Sequence, residues 1–202
     1  VLADGLLSRG HEVMRASRDP EKLAEWQRKA GPNAGIGDLA QAARWGEEVI
    51  LAVKGSAAED AIALAGPDNL AGKVIIDATN PIADLPPENG VLRFFTNLDE
   101  SLMERLQRKA PGARWVKAFS CVGSAFMVDP KLPGGPPSMF ICGDDEAAKA
   151  SVRALLTEFG WETVDMGAAE GARAIEPLCI LWCIPALRRN SWGHAFKLLQ
   201  VG

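Results

Sequence analysis

Glu48 to Ala78 reads EVILAVKGSAAEDAIALAGPDNLAGKVIIDA, and the fold turns on how that stretch is read. It opens with a nearly continuous apolar run, Glu48 to Val53, and closes with another, Lys73 to Ala78. Short apolar runs without alternation mark strands buried on both faces. Between them, Ala57 to Ala65 is predicted to be a helix. A strand, a helix and a strand in this order predict two parallel strands joined by a crossover.

The same alternation extends in both directions. Upstream, Leu2 to Arg9 is expected to be the end of a helix stopped by Gly10. Glu12 to Ala16 follows as a short strand. Ser17-Arg18-Asp19-Pro20 then turns the chain into a helix running to about Ala30, and Asp38 to Trp45 is a further helix. Downstream, Pro81, Pro86, Pro87 and Asn89-Gly90 mark a loop. Ser101 to Ala110 is predicted helical, Arg114 to Phe119 a strand, and Val122 to Met127 a short helix. Lys131 to Pro137 is a loop, Ser138 to Cys142 a strand, Asp144 to Phe159 a helix capped by Gly160, and Thr163 to Met166 a strand. A last helix is expected over about Gly171 to Arg189, bent or broken near Pro185. The pattern predicts an α/β fold: a Rossmann-type doubly wound, mostly parallel sheet with helices on both faces. Residues 1–202 are expected to form one domain of this type with a C-terminal helical segment at about 171–202. In such folds ligands sit at the carboxyl ends of strands. The loops to read are therefore those after Ala16, Val53, Ala78 and Phe119.

Composition narrows the function. The 202 residues are 48 % hydrophobic and 24 % charged, with a net charge of −4. That balance supports an ordinary core and gives no general attraction to nucleic acid or anionic lipid. The most apolar stretch, Ile175 to Leu187, is interrupted by Glu176, Pro177 and Pro185. It falls short of the roughly 20 residues a spanning helix needs. No charged leader is seen, so a cytoplasmic protein with neither nucleic acid nor membrane as a partner is expected. The four cysteines, Cys121, Cys142, Cys179 and Cys183, form no C-x-x-C pair, and there are two histidines, His11 and His194. Cys179 and Cys183 share a helix face, but small core residues are the expectation and no metal site is assigned.

Three segments carry chemistry. At the end of the second strand of a Rossmann unit, NAD-selective proteins place an acidic residue on the ribose 2′-hydroxyl. Here Ser17 and Arg18 stand there, with Lys22 one turn into the next helix. A hydroxyl and two cations suit a 2′-phosphate, and hence NADP; the alternative is a solvated basic turn. Thr79 and Asn80 bring polar groups to the carboxyl edge, where a nicotinamide ribose would lie, although Asn80-Pro81 also initiates turns on its own. In the segment Lys117-Ala118-Phe119-Ser120-Cys121-Val122-Gly123-Ser124, small residues and backbone amides would admit a flat ring. Lys117 is either a proton donor or, more commonly for a strand-end lysine, the partner of a carboxylate. The chain has no tyrosine, so a Tyr-Lys pair is excluded, and neither histidine is placed for hydroxy-acid oxidation. No catalytic acid or base is assigned. Hydride transfer between planar rings needs mainly proximity and orientation.

The segments LADGLLSRGHEV, ASRDPEK, VILAVK, VIIDATNPI, VKAFSCVGSAFMVDP, MFICGDDEAAKA and IEPLCILW, in this order, resemble NADPH-dependent F420 reductases and their bacterial homologues, from Leu2 to about Leu199. Related dinucleotide domains occur in the membrane metalloreductases. The resemblance implies NADP(H) bound by Ser17, Arg18 and Lys22. It implies nicotinamide contacts from Val53 and Lys54, from Thr79 and Asn80, and from the Ser120, Cys121, Val122 and Ser124 loop. It implies a small-molecule redox partner, coenzyme F420 or a flavin, stacked between that loop and the C-terminal segment. It also implies a homodimer with the final helix at its interface. The implied function is hydride transfer between NADP(H) and a deazaflavin or flavin-like acceptor. Alternatives are a non-catalytic NADP-binding regulatory domain and a flavin-dependent metalloreductase domain.

The family begins with a strand and G-x-G-x-x-G, whereas this chain starts within the helix that follows them. Those glycines let backbone amides approach a pyrophosphate, and the strand is central in the order 3-2-1-4-5-6. Weak or no NADP binding is therefore expected of the chain as it stands. Titrating NADPH against this chain, and against one extended by a strand and glycine loop, checks this; equally tight binding by both would refute it.

Overall fold

The two apolar runs of the sequence become adjacent parallel strands. The computed structural model describes residues 1–200. Val201 and Gly202, at the end of the expected segment 171–202, lie outside the described residues. The chain order is α1 (Leu2–Leu7), β1 (Val13–Ala16), α2 (Ala24–Ala30), β2 (Ala34–Gly37), α3 (Leu39–Trp45), β3 (Glu48–Leu51), α4 (Ala58–Ala65), α5 (Pro67–Leu70), β4 (Val74–Asp77), α6 (Leu102–Lys109), β5 (Arg114–Lys117), β6 (Ser138–Ile141), α7 (Glu146–Glu158), β7 (Glu162–Asp165), α8 (Ala172–Ile175) and α9 (Leu178–Arg189).

β4 is the centre of a parallel three-stranded block: Ile75 stands opposite Val49 of β3 and Trp115 of β5. β1 pairs with β2 and β6 with β7, both parallel. A single antiparallel bridge, Lys117 to Cys142, links β5 to β6. β1 and β3 share no ladder. One strand position separates such strands in the doubly wound order, and no described residue fills it. α3 packs on both β1 and α4, and so joins the β1–β2 pair to the three-stranded block.

Alternation along β4 builds a core on each side of the sheet. Ile75 faces one core, with Trp115, Ile62 of α4, Leu102 and Leu106 of α6, and Ile175 of α8. Val74 and Ile76 face the other, with Val116, Val152 and Leu156 of α7, and Phe159. Burying each of these large side chains is worth about 1.5–3 kcal/mol. The helix starts follow local chemistry. The Asp38 carboxylate accepts from the Gln41 amide at 2.7 Å, and Gln41 Oε1 accepts from the Asp38 amide at 2.9 Å. Ser101 and Glu104 close the same reciprocal cap on α6.

Three expectations are corrected. Glu48 to Val53 is not a strand buried on both faces: the strand ends at Leu51, Glu48 is exposed, and Val49 and Ile50 are half-buried. With a ladder on one side only, β3 is less covered than β4, whose four residues are all buried. The final helix breaks at Glu176-Pro177, between α8 and α9, and not at Pro185, which lies inside α9. Pro177 caps α9, where a missing amide hydrogen costs nothing. α9 ends at Asn190 in the left-handed region, so 191–200 is not helical. β2, sequence AGIG, is an additional strand; two glycines hide its β character.

Gly143, just after β6, sits where a Cβ would lie 2.4 Å from the Trp115 carbonyl oxygen. Gly143→Ala is expected to destabilise the protein by about 1–3 kcal/mol, the usual cost of overpacking. Urea denaturation measures this, and an unchanged midpoint would contradict the close approach.

Candidate functional site

Because the paired strands of the β1–β2 and β3–β5 segments run parallel, their carboxyl ends deliver the loops singled out in the sequence. At the end of β1, the Ser17 amide donates to the Gly37 carbonyl at 3.1 Å, and Ser17 Oγ accepts from the Asp19 amide at 3.2 Å. Lys22 pairs with Asp19 at 3.4 Å, both well exposed. Such a surface pair is weak and leaves Lys22 free to exchange Asp19 for another anion. Arg18 is exposed and has no ion-pair or hydrogen-bond partner among the described residues. Beside this turn, Arg15 lies over the Trp26 ring at 4.7 Å, and Trp26 Nε1 donates to Asp4 at 2.7 Å. The Trp26 bond holds the Asp4 carboxyl below its ordinary pKa.

At the ends of β3 and β4 the backbones nearly touch. A Cβ on Gly55 would fall 1.9 Å from the Asn80 carbonyl oxygen, so only glycine admits this approach. It places Val53 and Lys54 beside Asn80. Val53 is exposed, and Lys54 is ion-paired with Asp84. Thr79 is held at each of its polar groups. Its amide and hydroxyl donate to Asp77 Oδ1 at 2.9 and 2.7 Å, and its carbonyl accepts from Lys117 Nζ at 2.7 Å. Lys117 also donates to Asp77 Oδ2 and to Glu176 Oε1, each at 2.8 Å. Burial by itself would lower the Lys117 pKa, but the two carboxylates outweigh it and hold the pKa above its ordinary value. Lys117 is thus a buried cation held by two carboxylates and a carbonyl, the strand-end pairing the sequence offered as one of its two roles.

Asn80 Nδ2 donates to the Ser120 carbonyl at 2.7 Å, joining the β4 and β5 loops. Asn80 Oδ1 and Ser120 Oγ are buried and have no hydrogen-bond partner among the described residues. Just before Ser120, buried Phe119 adopts φ +61°, a left-handed conformation that costs a non-glycine residue about 1–3 kcal/mol. This turn redirects the chain from β5 into the 120–124 loop. Cys121 and Val122 point into the core, so only their backbone faces the loop. Burial pushes the Cys121 thiol up to about 11. Ser124 is exposed and opens a short 3₁₀ turn, Ser124–Phe126.

Three residues at this edge escaped the sequence reading: Glu176, Trp182 and His194. A Cβ on Gly123 would lie 2.6 Å from the Trp182 ring, so α9 covers the loop closely. His194 stacks on Trp182 at 4.9 Å. Trp182 Nε1 donates to the His194 carbonyl at 2.8 Å, and His194 Nε2 lies 2.9 Å from the Trp182 carbonyl. The only sequence signal was the density of tryptophan near the chain end, because the partners are remote in sequence. Among the described residues, no group of three or more His, Cys, Asp or Glu could hold a metal.

The parallel sheet, the free cation at the β1 end and the unpartnered polar atoms at the β4 and β5 ends define a dinucleotide-binding domain of the Rossmann type. Residues 1–81 match the family described as NADP oxidoreductase, coenzyme F420-dependent. A solved structure from Arthrobacter sp. FB24, described as an F420-dependent NADP-reductase, is similar at a TM-score of 0.91. It is 31 % identical, over 98 % of this chain and 93 % of that one. Metalloreductase STEAP3 of Rattus norvegicus is 30 % identical over 193 residues, 92 % of this chain; the chain spans 36 % of that protein's length. A reductive aminase from Aspergillus terreus, solved in complex with NADPH and ethyl levulinate, shares the fold at a TM-score of 0.63 and 20 % identity, over 89 % of this chain and 55 % of that one. The chain belongs to the coenzyme F420-dependent NADP oxidoreductase family and is an NADP-dependent oxidoreductase by that membership. No helix among the described residues is long and apolar enough to cross a membrane.

The cysteines give a direct check on this packing. The Cys179 thiol hydrogen bond lowers the half-buried Cys183 thiol, while the same contact raises Cys179. Burial raises Cys142 to about 12. Because the thiolate is the reactive form, iodoacetamide at pH 8 is expected to modify Cys183 first, and Cys121 and Cys142 only after unfolding. Mass spectrometry of the native protein reads this; early labelling of Cys121 would mean that the loop is open.

Proposed function

We propose that, in the form extended by a strand and glycine loop, this chain binds NADP(H) along the carboxyl edge and passes hydride to a planar redox partner, a deazaflavin such as coenzyme F420 or a flavin. The reading is carried by the buried, unpartnered pair Asn80 Oδ1 and Ser120 Oγ. Leaving a buried polar atom unpaired costs about 1–3 kcal/mol, and such atoms in native proteins call for an explanation. An acceptor beside a hydroxyl complements a carboxamide: Asn80 Oδ1 accepts from an amide N–H, and Ser120 Oγ donates to the amide oxygen. The same atoms suit ribose hydroxyls. Arg18, supported by Ser17 and Lys22, takes a 2′-phosphate. The nicotinamide ring, when bound, supplies the hydride. This chain's residues bind, orient and keep water out. Asn80 and Ser120 fix the ring's substituent, the Gly55–Asn80 contact sets the spacing of the loops, and Trp182 closes the 120–124 loop from the far side. No side chain is required to move a proton. The exposed Leu181 and Leu187 of α9, with Trp192, fit the proposed homodimer interface, and a cytoplasmic location completes the proposal.

A second reading, electron delivery to a metal through a flavin, is favoured by the similarity to the rat metalloreductase. Ferric reduction that requires added flavin would select it. A purely regulatory domain would show no NADPH oxidation with either acceptor.

Arg18→Ala is expected to weaken NADPH binding by about 10- to 100-fold, the scale of a charge-assisted hydrogen bond, and to leave NADH binding unchanged. Asn80→Ala is expected to weaken both. Fluorescence titration with the two nucleotides measures this. An equal loss for NADH in Arg18→Ala would rule out the 2′-phosphate assignment.

A further inference from the structure

Glu176 sits at the joint between α8 and α9 and is 1 % exposed. Three donors converge on its carboxylate. Lys117 Nζ and the Met103 amide reach Oε1 at 2.8 and 3.1 Å, and the Leu102 amide reaches Oε2 at 3.0 Å. The two amides are the first of α6, whose N-terminus carries a partial positive charge. Lys117 spends its other two protons on Asp77 and on the Thr79 carbonyl. Asp77 in turn holds the Thr79 amide and hydroxyl. The network thus ends at the residue before Asn80, whose buried Oδ1 has no partner among the described residues and is assigned above to the nicotinamide site.

Stability does not explain this arrangement. Lys117 and Asp77 alone would be a neutral pair, and Glu176 adds a third buried charge. Desolvating ions costs several kcal/mol each, and apolar replacements of buried ion networks are often as stable. What the third charge adds is geometry. All three ammonium protons are committed, so the lysine cannot swing away from the Thr79 carbonyl. We propose that Glu176 is a positioning residue: through Lys117 it fixes the Thr79–Asn80 turn, and so ties the α8–α9 joint to the redox edge of the sheet. This rests on the reading of Asn80 and Ser120 given above.

Glu176→Gln tests it, since it keeps the shape but sets an amide N–H₂ against one of the three donors. Amide hydrogen exchange in the nucleotide-free protein is expected to speed up about tenfold at Thr79, Leu102 and Met103, with Val164 of β7 unchanged. NADPH affinity is expected to fall about tenfold, and that loss should disappear when Asn80→Ala is already present. A uniform rise in exchange, unchanged exchange at Thr79, or loss of the cooperative fold would make Glu176 a residue of the core and overturn the proposal. So would effects of the two substitutions that simply multiply. If Asn80→Ala alone leaves NADPH affinity unchanged, the site reading fails, and exchange at Thr79 still decides the role of Glu176.

Discussion

β4 is hydrogen-bonded on both sides and buried on both faces, and the remaining architecture is arranged around it. A strand in that position must be apolar throughout, must have parallel neighbours fed by crossovers, and needs a helix layer on each face. Its last residue, Asp77, is the exception. It is a buried carboxylate at the carboxyl end, and it requires a cation. Lys117, opposite it at the end of β5, supplies one. The register of the sheet therefore brings together the first charge pair of the site, and Glu176 and Thr79 gather around that pair.

The site edge is held by contacts that leave little room for adjustment. Gly55 approaches the Asn80 carbonyl more closely than any side chain allows, and a Cβ on Gly123 would force the Trp182 ring to shift. Phe119 adopts a left-handed backbone that its burial must offset. Strain of this kind persists only where the surroundings over-determine it, and here it coincides with two polar atoms that lack partners. Rigid loops with unfilled hydrogen-bonding capacity are what a planar, polar-edged ligand needs, since little ordering remains to be done on binding. At the other end of the edge, Arg18 and Lys22 are exposed, and Lys22 is paired only with Asp19.

Legibility in the sequence followed the range of the interactions. The strands around Ile50 and Ile75 were readable from their apolar runs, although only β4 is buried throughout. The helix starts at Asp38 and Ser101 were readable in the sequence, and the reciprocal caps that set them use partners three residues away. The place of Ser17 and Arg18 was readable because they directly follow the short strand that ends at Ala16. β2 was missed because its two glycines carry no β signal and its stability comes from β1. The helix break was placed at Pro185 although the helix is interrupted at Glu176-Pro177: the sequence shows two prolines, and only packing decides which one the helix can absorb. Lys117 was correctly seen as a strand-end lysine with two possible roles, but choosing between them required the two carboxylates. Cys121 and Val122 were grouped with the site by position, while their side chains belong to the core.

The sequence by itself determined the alternating pattern and the doubly wound class, because each depends on neighbours within a few residues. Only the tertiary structure decided that Asn80 Oδ1 and Ser120 Oγ are left without partners. It alone showed that Glu176 reaches Lys117 across 59 residues, and that His194 and Trp182 close over Gly123. These depend on the register of parallel strands and on where the C-terminal helices dock. Neither is encoded in local periodicity, because the contacting residues come from separate crossovers and meet only when the sheet has formed.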